Sequence, residues 1–196
     1  MDLRTEALRG DRVILEPMRQ EHIDGLAAIG VVSSIWQFTA EQISNRDEMA
    51  RLVEDALRNN ETGKAVPFVT RLADSGEIAG STRFGNIDVP NRKVEIVWTW
   101  LAPRWQRSFV NMEAKLLMLR HAFEVWKCIR VEFKTDAINL ASRNAIKRLG
   151  AIEEGVLRQH MITQSGRFRD SVYFSILDRE WPGVEAALVE RLKERQ

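Results

Sequence analysis

Three stretches of this sequence combine residue types with chemistry they could perform. The first is a glutamate inside an apolar strand. In Lys93–Leu101 (KVEIVWTWL), strand alternation puts Val94, Ile96, Trp98 and Trp100 on one face and Glu95, Val97, Thr99 and Leu101 on the other. A carboxylate there is unfavourable unless it meets a partner, water or a cavity. Burial would raise its pKa toward the range of a general base, and a salt-bridged or edge glutamate accounts for the residue equally well. The second stretch is RWQRSFV (Arg104–Val110), ahead of a helix read as opening at Asn111. Amides around Phe109–Ala114 then point outward at a helix N-terminus, where the dipole and unpaired donors stabilise an anion. Arg104 and Arg107 add positive charge; an ordinary turn with two solvated arginines competes evenly. The third is NLASRNAIKRLGA (Asn139–Ala151). Asn139 and Ser142 stand three apart in a first helical turn and could reach a common ligand, although both types also serve as routine helix caps.

Other chemistries are set aside. His22, His121 and His160 lie far apart, in no metal-ligand spacing, so no metal is expected. His121, on an apolar helical face, reads as a core residue. Cys128, the single cysteine, excludes an internal disulfide and a zinc site of paired thiolates; it reads as a small buried hydrophobe. No glycine-rich phosphate loop of the recognised kinds is present. Lys and Arg total 29 against 28 Asp and Glu, a net charge of +1, so no global field points to nucleic acid or a membrane surface. No run of about 18 apolar residues could span a bilayer, and the charged start lacks a signal peptide's apolar core. A soluble, disulfide-free cytoplasmic protein is expected.

The elements that must position these residues follow from periodicity. Strands are expected at Arg12–Glu16, Ala65–Leu72, Glu77–Phe84, Lys93–Leu101, Arg130–Thr135, Val156–Ile162 and Ser171–Leu177. Helices are expected from Gln20, over Asn45–Asn59, Asn111–Trp126 and Asn139–Leu149 (stopped by Gly150), and from Glu180 to Lys193. The apolar segments run almost end to end, so residues 1–196 read as one domain. The order β-α-α-β-β-β-α-β-α-β-β-α is an α/β plan of the α+β type, with a mixed, mostly antiparallel sheet flanked by helices.

Together these segments resemble the GNAT superfamily of acyl-CoA-dependent N-acyltransferases, particularly its RimL/RimJ-type branch. The likeness runs from GDRVILEPMRQEHIDGL to FSILDREWPGVEAAL and is densest in VEIVWTWLAPRWQRSFVNMEAKLLMLRHAFE and VEFKTDAINLASRNAIKRLGAIEEGVLRQHM. The resemblance implies a GNAT-like twisted sheet, acetyl-CoA as cosubstrate and a primary amine acceptor, either a protein N-terminus or a small molecule. It implies that Gln106, Arg107, Ser108, Phe109, Val110 and Asn111 hold the coenzyme's pyrophosphate, with Phe109 and Asn111 where relatives carry small residues. Asn139 would contact the pantetheine arm. Ser142 would protonate the departing thiolate, since the position where many relatives place a tyrosine is Ile146 and the chain's only tyrosine is Tyr173. Glu95 would take the amine proton, directly or through water, while backbone N–H groups near Trp100 and Leu101 polarise the thioester carbonyl. Trp36 and Phe38 are read as an acceptor wall, with plain core packing as the equal alternative. The expected partners are acyl-CoA and an amine, with no nucleic acid and no membrane, and a homodimer as the assembly left open. Two other classes stay open: a catalytically weak acyl-CoA sensor, and an interaction module built on the tryptophans.

Overall fold

The computed structural model describes residues 1–3, 6–39 and 41–194. Among the described residues, fourteen regular strands and α-helices follow one another: β1 (Leu8–Arg9), β2 (Val13–Pro17), α1 (Ile23–Gly30), α2 (Ser33–Trp36), α3 (Arg46–Glu61), β3 (Ala65–Leu72), β4 (Ile78–Asp88), β5 (Lys93–Leu101), α4 (Val110–Arg120), β6 (Arg130–Asp136), α5 (Leu140–Arg148), β7 (Ile152–Ile162), β8 (Phe168–Leu177) and α6 (Trp181–Lys193). The strands form one sheet in the order β1-β2-β3-β4-β5-β6-β8-β7, antiparallel at every seam except β5–β6. The mixed, mostly antiparallel sheet read from periodicity is therefore the fold. Two elements lay below the reach of sequence patterning: the two-residue β1 and the single-turn α2.

The two faces of the sheet carry separate cores. Val13, Phe68, Phe84, Val94, Ile96, Val131, Phe133, Val172 and Phe174 pack with α4, α5 and α6 on one face. On the other, Met18, Leu26, Trp36, Met49, Val53, Val69 and Trp100 form a smaller core with α1 and α3. Local signals account for the helix ends. Asn45 accepts the Glu48 amide at 2.9 Å to open α3. Gly150 closes α5 with φ +95, and a Cβ there would lie 2.9 Å from Val184 Cγ2. The helix expected to run to Trp126 instead ends at Arg120 and passes into a π-turn, His121–Val125. Cys128 and His121 take the structural roles assigned to them. Cys128 is buried, with its thiol pushed up to about 11 by desolvation. His121 packs against Trp126 and Phe84.

The strand carrying Glu95 departs from simple alternation. Between Ser81↔Trp100 and Arg83↔Val97, β5 uses one residue more than β4, which is a β-bulge, and Trp98 takes φ +47 within it. The bulge reverses the faces downstream. Leu101 joins the larger core with Val94 and Ile96, and Trp100 crosses to the smaller one. The expectation that Trp98 and Trp100 share a face with Val94 is corrected accordingly: one extra residue undoes a period of two.

Candidate active site

β5 and β6 are parallel, and they touch only briefly. Lys93, Val94 and Glu95 pair with Arg130, Val131 and Glu132; beyond that β5 follows β4 alone and β6 follows β8 alone. A wedge opens between them, with Glu95 at its apex and Leu101 at its mouth.

Glu95 is 1% exposed. Asn86, held at φ +47, donates from Nδ2 to Oε2 at 2.5 Å, and Lys134 Nζ lies 3.7 Å from the same oxygen. Oε1 has no partner. Desolvation is the largest influence and raises the Glu95 pKa; Lys134 and Asn86 oppose it, and Glu132 adds to it. A buried carboxyl whose proton affinity is raised, with one oxygen unused, has the properties of a base. Tyr173 stands beyond Lys134, whose Nζ lies 5.7 Å from the phenol ring centre. Burial, followed by Glu95 and Glu132, pushes the phenol upward.

At the mouth, Leu101 leads through a short 3-10 turn, Pro103–Trp105, into α4. Gln106 Nε2 donates to the Leu101 carbonyl at 3.1 Å, which ties the loop to the strand. Arg107 is exposed and takes φ +62. Ser108 Oγ donates to the Trp105 carbonyl at 2.6 Å and accepts the Val110 amide at 3.2 Å. Phe109 has helical dihedrals, φ −68 and ψ −24, so the absence of glycine at this position imposes no backbone strain. Its ring turns inward beneath the Arg12 guanidinium, 4.0 Å away. Glu113 accepts the amides of Arg12 and Val13 at 2.8 and 3.1 Å, pinning the first turn of α4 to β2. Asn111 is half-buried in that turn. Arg104 lies elsewhere in effect: it pairs with Glu77, which also accepts Trp105 Nε1 at 2.6 Å. Of the two arginines counted toward an anion site, Arg107 remains at the loop.

Across the wedge, α5 follows β6. Asn139 Oδ1 accepts the Ser142 amide at 3.0 Å, so the capping alternative describes Asn139's oxygen. Ser142 is half-buried, and its hydroxyl makes no hydrogen bond to a described residue. Ile146 is buried. Trp36 is 3% exposed, donates to the Gly30 carbonyl at 2.8 Å and lies 5.5 Å from the Trp100 ring. The core-packing alternative holds for Trp36, whereas Phe38 is half-buried. The structure adds residues that sequence reading passed over. Thr82 and Thr99 hydroxyls lie 2.7 Å apart, and Lys115 of α4 donates to both, at 3.0 and 2.5 Å. A lysine between buried positions in EAKLLML was the available signal.

Residues 12–152 match the family model described as an acetyltransferase (GNAT) domain. The chain belongs to the GNAT acetyltransferases. It is 30% identical over 149 residues to YdaF of Bacillus subtilis (strain 168), provisionally named a ribosomal N-acetyltransferase, covering 76% of this chain and 79% of YdaF. The crystal structure of a GCN5-related N-acetyltransferase from Brucella melitensis superposes with a TM-score of 0.89 at 30% identity, over 96% of this chain and 86% of that one. Mycobacterium smegmatis RimJ in complex with CoA-disulfide shares the fold, with a TM-score of 0.76 at 22% identity over 91% and 88% of the two chains. The GNAT assignment makes the chain an N-acetyltransferase, and it gives the wedge between β5 and β6 a ligand class to be tested against.

Proposed function

We infer that the wedge binds acetyl-CoA and that its acetyl group passes to a primary amine whose proton is relayed to Glu95. The carrying observation is the brief β5–β6 pairing, beyond which the two strands part, with a helix N-terminus following the end of β5. The pyrophosphate rests against the Gln106–Asn111 loop, where first-turn amides and Arg107 supply donors and charge. The pantetheine arm runs inward between the strands, within reach of Asn139 and Ser142. Backbone N–H groups near Trp100 and Leu101 polarise the thioester carbonyl. The amine nitrogen then forms the C–N bond as the C–S bond breaks. The nitrogen's proton goes to Glu95, and the thiolate takes one from Ser142.

Distance decides how Glu95 acts. Trp100 lies five residues along β5, roughly 16 Å of extended strand before the bulge shortens it. A carboxyl side chain does not span that interval, so the proton travels through water. Because coenzyme thiolate is a fair leaving group, Ser142 assists less than Glu95. Both roles are secondary to holding amine and thioester together. YdaF's name supports the N-terminal amine of a ribosomal protein as the first acceptor to test, in keeping with a RimJ-like cytoplasmic enzyme.

The test is release of free coenzyme thiol from acetyl-CoA with a panel of N-terminal peptides and small amines, alongside thermal shifts. Acetyl-CoA should raise the melting temperature dose-dependently, because it binds the native state, and at least one amine should drive thiol release. A shift without turnover on any amine would replace the transferase with a sensor; no shift at millimolar acetyl-CoA would remove the coenzyme site.

A further inference from the structure

Lys115 has no role in the reaction described above, yet it is a buried ionisable group with no charged partner among the described residues. It is the sixth residue of α4, 5% exposed, among Leu116, Met118 and Leu119. Its amine is held by two neutral hydroxyls, Thr82 Oγ1 at 3.0 Å and Thr99 Oγ1 at 2.5 Å. No carboxylate pairs with it among the described residues, and desolvation alone acts on it. A buried amine without a counter-charge holds its proton only at a high cost, and an anion arriving beside it would lower that cost. A leucine or methionine of similar volume would pack there at no such expense.

The position of the group indicates where a counter-charge could come from. Thr99 follows the bulged Trp98 on the β5 wall of the wedge, and unlike Thr82 and Lys115 it is exposed. Its hydroxyl therefore stands between the buried amine and solvent on that strand. Thr99 lies one residue inward of Trp100, on the apex side of the point where the thioester carbonyl is placed. An acyl group longer than acetyl would extend along this wall, and its far end would arrive at Thr99 and Lys115.

We propose that the wedge takes, alongside acetyl-CoA, short acyl thioesters that end in a carboxylate, with Lys115 as the residue that reads that terminus. The inference rests on the acyl-CoA site proposed above. The transfer step is unchanged: the amine forms the C–N bond, the C–S bond breaks, and the distal carboxylate stays paired with Lys115 without reacting.

Succinyl-CoA and butyryl-CoA carry acyl chains of equal carbon count and differ at the terminus, so they isolate the charge. Calorimetric titration of the wild-type protein with each, and with acetyl-CoA, should find succinyl-CoA bound at least tenfold more tightly than butyryl-CoA, a ratio equal to about 1.4 kcal/mol. Lys115→Met should remove that ratio or invert it, in binding and in kcat/KM alike. Thr99→Val, which leaves the lysine in place, should reduce the ratio by a smaller factor. Butyryl-CoA binding as tightly as succinyl-CoA to the wild-type protein would overturn the proposal, and needs no variant to interpret. Binding of none of the three thioesters would instead overturn the coenzyme site itself.

Discussion

Replacing Lys115 by methionine should stabilise the protein, and by an amount that depends on pH. Burial lowers the Lys115 pKa from the ordinary 10.5 to about 7. Between those values the unfolded chain holds the proton and the native state does not, so stability rises with pH by about 1.36 kcal/mol per unit. Over the whole interval this amounts to about 5 kcal/mol, present as a penalty below pH 7 and gone above pH 10.5. Methionine fills the volume without the charge. It forfeits two hydrogen bonds worth about 1 kcal/mol each, although Thr82 and Thr99 can still bond one another across 2.7 Å. The expected gain is therefore about 3–5 kcal/mol at pH 6, shrinking toward zero or reversing near pH 10. Urea denaturation of both proteins, followed by tryptophan fluorescence at pH 6, 8 and 9.5, measures the difference directly. Groups common to both, including Tyr173 and Cys128, cancel in that difference. A pH-independent gap, or a variant less stable than wild type at pH 6, would refute the reasoning and show Lys115 to be compensated in solution.

Glu95→Gln should lower turnover by about 10²–10⁴-fold at neutral pH while leaving acetyl-CoA affinity intact; the deficit should shrink as pH rises and the amine arrives already neutral, which a pH–rate profile of both proteins would reveal. Arg107→Ala should weaken acetyl-CoA binding by about 1–3 kcal/mol in calorimetric titration, with little change in melting temperature, because the residue is exposed on the loop. Gly150→Ala should destabilise by about 1–2 kcal/mol in the same urea assay, since φ +95 disfavours any side chain and the added Cβ meets Val184 at 2.9 Å.

The fold was legible because its signals are local and repetitive. Strand β5 begins and ends where its β-branched and aromatic run does, and α5 is bounded by Asn139 and Gly150 as its caps require. What escaped was anything set by a single inserted residue or by pairing across the sheet. The bulge at Trp98 leaves no mark in composition, yet it moves Trp100 to the opposite core and turns Thr99 toward α4. The site residues divide the same way. Glu95 stood out because a charge interrupts an apolar strand, whereas Asn86 and Lys134, which surround its carboxylate, belong to ordinary-looking segments. Arg104 looked like part of an anion site until Glu77, from a different hairpin, was seen to hold it. Lys115 carried a signal as plain as that of Glu95, but helices so often carry lysines that its inward direction became visible only in three dimensions.

The brief seam between β5 and β6 also has a mechanical meaning. Three paired residues join the strands β1–β5 to β6–β8, whereas β3 and β4 are zipped along most of their length. The two groups of strands thus share little backbone pairing, and the larger core beneath them, packed with α4, α5 and α6, carries most of their connection.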